Sequence, residues 1–182
     1  MIVIVGPAGA GKSLQGQLLA ARFDWRWLSM GQVLRDSKDQ AVLAQMQTGE
    51  LVDNEIVNKY LEKSLKAAEG IDQVILDGTP RDLDQARWLV FEAPNRCDAK
   101  IDVVLVLDLP ENEIKSRLSK RGRADDAPDT VVERIDLYNK LMPPILEFME
   151  NNDIRIEHID ALGTVGEVHD RIVKTLQKCQ II

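Results

Sequence analysis

Apolar residues fall along this chain in two rhythms. Unbroken runs at Ile2–Val5, Val74–Leu76 and Val103–Leu107 have the length and β-branched composition of strands buried on both faces. A fourth run, Ile154–Ile159, alternates Ile-Arg-Ile-Glu-His-Ile and predicts a strand with one more exposed face; Trp27-Leu28 predicts a short fifth. Between these runs the spacing changes to three and four. Leu14, Leu18, Leu19 and the Arg22-Phe23 pair predict one helical face, and Ile56, Tyr60, Leu61 and Leu65 another. Val131, Ile135, Tyr138, Met142, Ile145 and Met149 hold the interval for about five turns, with a kink expected at Pro143-Pro144. Strands alternating with helices predict an α/β fold, one parallel sheet covered on both faces. Ser37–Asp53 and Lys120–Asp129 are the least regular segments and are expected to be inserts over a ligand.

Composition narrows this picture. A length of 182 residues suits one domain, and no repeat or Gly/Ser linker divides it. The net charge of −7 and an aromatic content of 4% argue against a nucleic-acid partner, which needs a basic face or a stacking platform. Val103–Leu107 is far too short to span a bilayer, and MIVIVGPAGA has no basic residue ahead of its apolar run. Cys97 and Cys179 cannot make a four-cysteine zinc site. A soluble cytoplasmic domain with no membrane partner is expected.

The chemistry begins at Gly6-Pro-Ala-Gly-Ala-Gly-Lys12-Ser13, a complete G-x-x-x-x-G-K-[ST] between a predicted strand and a predicted helix. Glycines let the backbone turn its N–H groups onto phosphate oxygens, and the helix adds its positive end. Lys12 would reach the β/γ-phosphates and Ser13 would face Mg²⁺. Asp77, closing the second strand, is placed as the metal-side acid of such a P-loop NTPase-type fold. No Asn-Lys-x-Asp guanine reader is present, because the Asn-Lys pairs continue into Tyr60-Leu61 and Leu141-Met142. Lys115–Arg123 holds five cations and no acid, and Arg117, Arg121 and Arg123 use Arg where a dipole-complementing helix end needs only charge. Arg35 and Arg81 stand alone in polar surroundings, and Arg134 lies just off the stripe of the long helix. Dispersed arginines around a phosphate loop suit phosphoryl transfer, which needs charge stabilisation more than covalent chemistry. His158 and His169 read as structural.

Six ordered motifs resemble the adenylate kinase family of nucleoside monophosphate kinases over essentially the whole chain. They are GPAGAGKSLQ, Leu28–Arg35, Gly49–Asp53, Leu76-Asp-Gly-Thr-Pro-Arg81 with Gln85-Ala86, Arg117–Asp126, and Arg134 in the long helix. The resemblance implies a CORE sheet domain over residues 1–182, a helical NMP-binding insert at 29–59 and a short lid at 118–128. By residue it implies ATP binding by Gly9, Ala10, Gly11, Lys12, Ser13 and Leu14, with Arg117 stacked on the base and backbone near Gly163-Thr164 accepting from it. AMP would be held by Met30, Arg35, Leu51, Val52, Gly78, Arg81 and Gln85, with Gln85 reading the adenine edge. Lys12, Arg81, Arg121, Arg123 and Arg134 would be catalytic, and Asp125-Asp126 would order the lid. Mg²⁺ would be held through Ser13 and, by way of water, Asp77.

The chain also departs from the family. A single residue separates Arg121 from Arg123, so the long zinc-bearing lid is excluded and no zinc is expected. Met30 replaces a Thr, Thr79 a Phe, and Gln32 an Asp that orders magnesium water. The implied reaction is reversible transfer between ATP and AMP by a monomer, with ATP as donor and a cis Thr79-Pro80 bond beside the acceptor. Two alternatives stand beside it: a UMP/CMP-type or other acceptor, and a weakly active nucleotide-binding regulatory module.

Overall fold

Each apolar run becomes a strand. The computed structural model describes residues 1–48, 51–121 and 128–182. Strands β1 (Ile2–Val5), β2 (Arg26–Ser29), β3 (Val74–Asp77), β4 (Val103–Asp108) and β5 (Ile156–Asp160) form one sheet in the order β2-β3-β1-β4-β5. Every pairing is parallel, with Ile2 opposite both Ile75 and Val103. Period-two alternation divides the core. Ile2 and Ile4 point to one face with Leu105 and Leu107, while Val3 and Val5 point to the other with Val104 and Val106.

Helices cover both faces, as parallel crossovers require. The first face takes α1 (Lys12–Phe23) through Leu19 and α9 (Val165–Lys178) through Ile172 and Leu176. The second takes α4 (Asn54–Lys66), through Leu61 and Leu65, and α8 (Pro128–Glu150), through Met142, Ile145 and Met149. Between them in sequence lie α2 (Met30–Asp36), α3 (Gln40–Thr48), α5 (Leu83–Arg87), a π-helical turn Trp88–Glu92, α6 (Ala93–Cys97) and α7 (Glu111–Arg121). Short polar side chains start several of them. Asp53 accepts from the Glu55 and Ile56 N–H groups, Asp82 from that of Gln85, and Thr164 forms a reciprocal capping box with Glu167.

The structure corrects several expectations. β5 starts at Ile156 rather than Ile154, because Asp153 turns left-handed (φ 59°) and the Ile154 N–H closes the end of α8 on the Met149 carbonyl. Ser37–Asp53 is not irregular throughout but contains α3, whose Val42 is fully buried in the second-face core. Leu14 does not share the packed face of α1: it is 45% exposed, and Gln15, Gly16 and Leu19 are buried instead. α7 ends at Arg121, and its Leu118 is fully buried against Ile114, Val131 and Ile135. α8 is assigned without a break through Pro143-Pro144. Among the described residues no helix is long and apolar enough to cross a membrane. Cys97 packs on the second face and Cys179 on the first, and burial pushes both thiols up from their usual range.

Candidate active site

β1 and β3 are neighbours with Ile4 opposite Asp77. The loop leaving β1 and the acid closing β3 therefore emerge together at the carboxyl edge of the sheet, where open parallel sheets bind ligands. The loop lies tight against β4: a Cβ at Gly6 would sit 2.8 Å from the Leu107 carbonyl oxygen, which only glycine avoids. Gly11 enters α1 in the left-handed region (φ 93°), with no side-chain cap and no acid in the first turn. The positive end of α1 thus faces the cleft uncompensated by side chains. Lys12 Nζ donates to the Gly6 and Pro7 carbonyls at 2.7 and 2.8 Å, which carries its charge across the loop.

The Ser13 hydroxyl donates to Asp77 Oδ2 at 2.6 Å, and Asp77 is 2% exposed. A hydroxyl beside a buried carboxylate is a hard oxygen set of the kind Mg²⁺ takes. Among the described residues no three His, Cys, Asp or Glu side chains cluster as a metal site. These two groups fit an ion that keeps most of its shell from water and phosphate, as Mg²⁺ does.

Both sides of the expected chemistry open onto one cleft of ≈ 470 Å³. Gly9, Gly11, Lys12, Ser13 and Leu14 form its phosphate-loop wall. Met30 and Arg35 of α2, with Leu51 and Val52 ahead of α4, form the opposite wall. Asp77, Gly78, Arg81 and Gln85 lie along the end of β3, and Arg117 of α7 and Arg134 of α8 complete the lining. A second cavity of ≈ 380 Å³ shares Gly9, Gly11, Leu14 and Arg117 with it and adds Ala10, Gly163 and Thr164. The Arg117 guanidinium is anchored there by Glu113 (Nε to Oε1, 2.8 Å) and by the Ala161 and Gly163 carbonyls at 3.1 and 3.4 Å.

Gln32 does not line either cavity. Its amide is spent along α2, donating to Asp36 Oδ1 at 2.7 Å and accepting from Arg35 Nη2 at 3.3 Å. Arg123, Asp125 and Asp126, and the side chain of Arg121, lie outside the described residues. The Thr79–Pro80 peptide is cis, and Arg81 Nε donates to the Gly78 carbonyl at 2.9 Å. His158, on β5, pairs at the surface with Asp108.

Gln15 closes the GPAGAGKSLQ motif but was given no role by the sequence. It is 3% exposed, and its Nε2 donates to the Val165 carbonyl at 2.9 Å, tying α1 to the start of α9. Its Oε1 therefore faces His169 Nδ1 at 3.1 Å, which fixes that nitrogen as the protonated one in the neutral ring. Burial, then Arg22, pushes the His169 pKa down against the opposing pull of Asp170. A base with a lowered folded-state pKa binds fewer protons folded than unfolded. Its contribution is complete above the unfolded value of about 6.5 and is lost as pH falls through that value toward the folded one. Urea midpoints from about pH 7 to about pH 5 should drop more for wild type than for His169→Gln. Equal losses in the two proteins would refute the assignment.

Comparison with known proteins gives a consistent result. A family model described as Adenylate kinase matches residues 4–154. The chain is 36% identical over 181 residues to an adenylate kinase of Mycobacteroides abscessus, covering 96% of this chain and 98% of the relative. It is 34% identical over 183 residues to that of Mycobacterium ulcerans, covering 97% and 99%. It is 31% identical to that of Mycobacterium tuberculosis, with the same coverage. With a phosphate loop, a buried acid beside it and a second wall all opening on one cleft, the chain belongs to the adenylate kinase family and is a phosphotransferase.

Proposed function

We propose that this chain catalyses reversible, Mg²⁺-dependent transfer of a phosphoryl group from ATP to AMP, giving two ADP. One observation carries the reading. The phosphate loop and the acceptor-side residues Arg35, Arg81 and Gln85 line the same cleft, so two nucleotides can meet phosphate to phosphate. ATP occupies the loop and the adjoining cavity, with its base against Arg117 and the Gly163-Thr164 backbone. AMP lies against Met30, Leu51, Val52 and Gly78, with Arg35 and Arg81 on its phosphate.

An AMP phosphate oxygen attacks the γ-phosphorus in line; the bond from that phosphorus to the β–γ bridging oxygen breaks, and ADP leaves. Lys12 and Arg134, with Arg121 and Arg123, carry the charge that spreads over the moving group, and α1 offers its N-terminal N–H groups. Mg²⁺, when bound at Ser13 and Asp77, neutralises charge on the donor phosphates. Residues 29–59 serve as the acceptor-binding insert, and residues 118–128 as the lid. The enzyme works as a zinc-free cytoplasmic monomer.

A coupled assay of ATP against AMP, CMP, UMP, GMP and dAMP tests this. AMP is expected to give the highest kcat/KM, by about tenfold or more over the pyrimidines. A preference for UMP or CMP would transfer the reading to the pyrimidine-type kinases, and no turnover with any monophosphate would refute it.

A further inference from the structure

Gln85 sits on α5 at 2% exposure, and all but one of its amide hydrogen-bonding positions are filled. Its Oε1 receives the Arg81 backbone N–H at 2.9 Å and the Thr79 hydroxyl at 2.9 Å. Its Nε2 donates to Asn54 Oδ1 at 2.8 Å. A backbone N–H can only donate, so the atom facing Arg81 must be the oxygen, and the polarity of the whole amide follows. Both lone pairs of that oxygen are then occupied, and one N–H of the nitrogen is left. Gln85 lines the nucleotide cleft, whereas Thr79, 1% exposed, does not.

Turning the amide over would set N–H against the Arg81 N–H, a mismatch that cannot be relieved, whereas the Thr79 hydroxyl and the Asn54 amide hold the side chain in place rather than set its polarity. In a buried network such a mismatch is costly, so the amide holds one orientation. We propose that Thr79 is a positioning residue: with Asn54 it locks Gln85 so that the acceptor site shows its base an N–H donor. The base accepted is one that offers a ring lone pair at that edge, as adenine does at N1. A base with a ring N–H there, such as guanine or hypoxanthine, meets donor with donor. This rests on the reading of Gln85 as the base-facing residue of the acceptor site.

The test pairs AMP with 1-deazaadenosine 5′-monophosphate, in which the N1 lone pair is replaced by C–H. Wild type should favour AMP by about tenfold in kcat/KM. Thr79→Val keeps the shape but loses the proton; it should cut that preference at least threefold through a higher KM for AMP, with kcat and the KM for ATP unchanged. Thr79→Ala should act in the same direction should the valine variant fold poorly, and Thr79→Ser should restore the wild-type preference. A general loosening would raise both monophosphate KM values alike and leave the preference intact, which overturns the proposal. So does a wild type that does not distinguish the two nucleotides. Gln85→Leu separates the layers. If it abolishes the preference while Thr79→Val and Thr79→Ala keep it, the acceptor-site reading stands and the role of Thr79 falls. If it leaves the KM for AMP unchanged, both fall.

Discussion

Lys12→Ala should lower kcat by about 10²–10³-fold, the usual effect of removing one charged donor from a developing transition-state charge. The ammonium lies across the phosphate loop on the Gly6 and Pro7 carbonyls, within a cleft that water enters freely. Removing it exposes those carbonyls to water rather than leaving them dry, so the thermal midpoint should move by no more than a few degrees. The KM for AMP should change little, because the acceptor wall is built from α2 and from residues after β3. Retention of more than about a tenth of the wild-type rate would refute the phosphate-loop assignment.

Asp77→Asn is expected to cost a comparable factor, about 10²-fold in rate at a fixed magnesium concentration, for a different reason. The asparagine oxygen can still accept the Ser13 hydroxyl that Asp77 now holds at 2.6 Å, so the local geometry survives while the charge is lost. Asp77 is almost wholly buried, and replacing a buried charge by an isosteric neutral group is neutral or stabilising. The thermal midpoint should therefore hold or rise as the rate falls. Titrating magnesium at constant ATP should show a higher concentration for half-maximal rate than in wild type. An unchanged titration would remove Asp77 from the metal side of the site.

The three central strands were legible because unbroken runs of Val, Ile and Leu have no reason to exist outside a sheet buried on both faces. The phosphate loop was legible because its glycines answer to local backbone demands, such as the approach of Gly6 to Leu107. α3 was not. Its apolar residues Val42, Leu43 and Met46 span little more than one turn among glutamines, too few to establish a period. Leu14 misled because periodicity identifies an apolar face without saying whether protein or ligand covers it; here the residue borders both cavities. The hydrogen-bond partners of Gln15 and Gln85, though both lie in recognised motifs, were unreadable in a different way. Their partners, His169 and Val165 for one and Asn54, Thr79 and Arg81 for the other, mostly meet them through tertiary folding. A glutamine's amide orientation depends on those partners, so a motif can name the position without giving the direction of its amide. Gln32 shows the converse: a motif position suggests a role, but its own helix already holds both ends of the amide.

The contact between Gly6 and Leu107 also bears on the order in which the protein is made. β1 is made before both of its neighbours, which follow about seventy and about a hundred residues later, and closing loops of that size is slow. Until β4 arrives, the loop after β1 has no Leu107 backbone to curve against, although β2 and β3 are already in place to receive α1. The phosphate loop thus becomes competent for nucleotide only after β4, about a hundred residues downstream, has been translated. Nucleotide capture by a nascent chain would therefore report the docking of β4, rather than the mere presence of the glycine-rich loop.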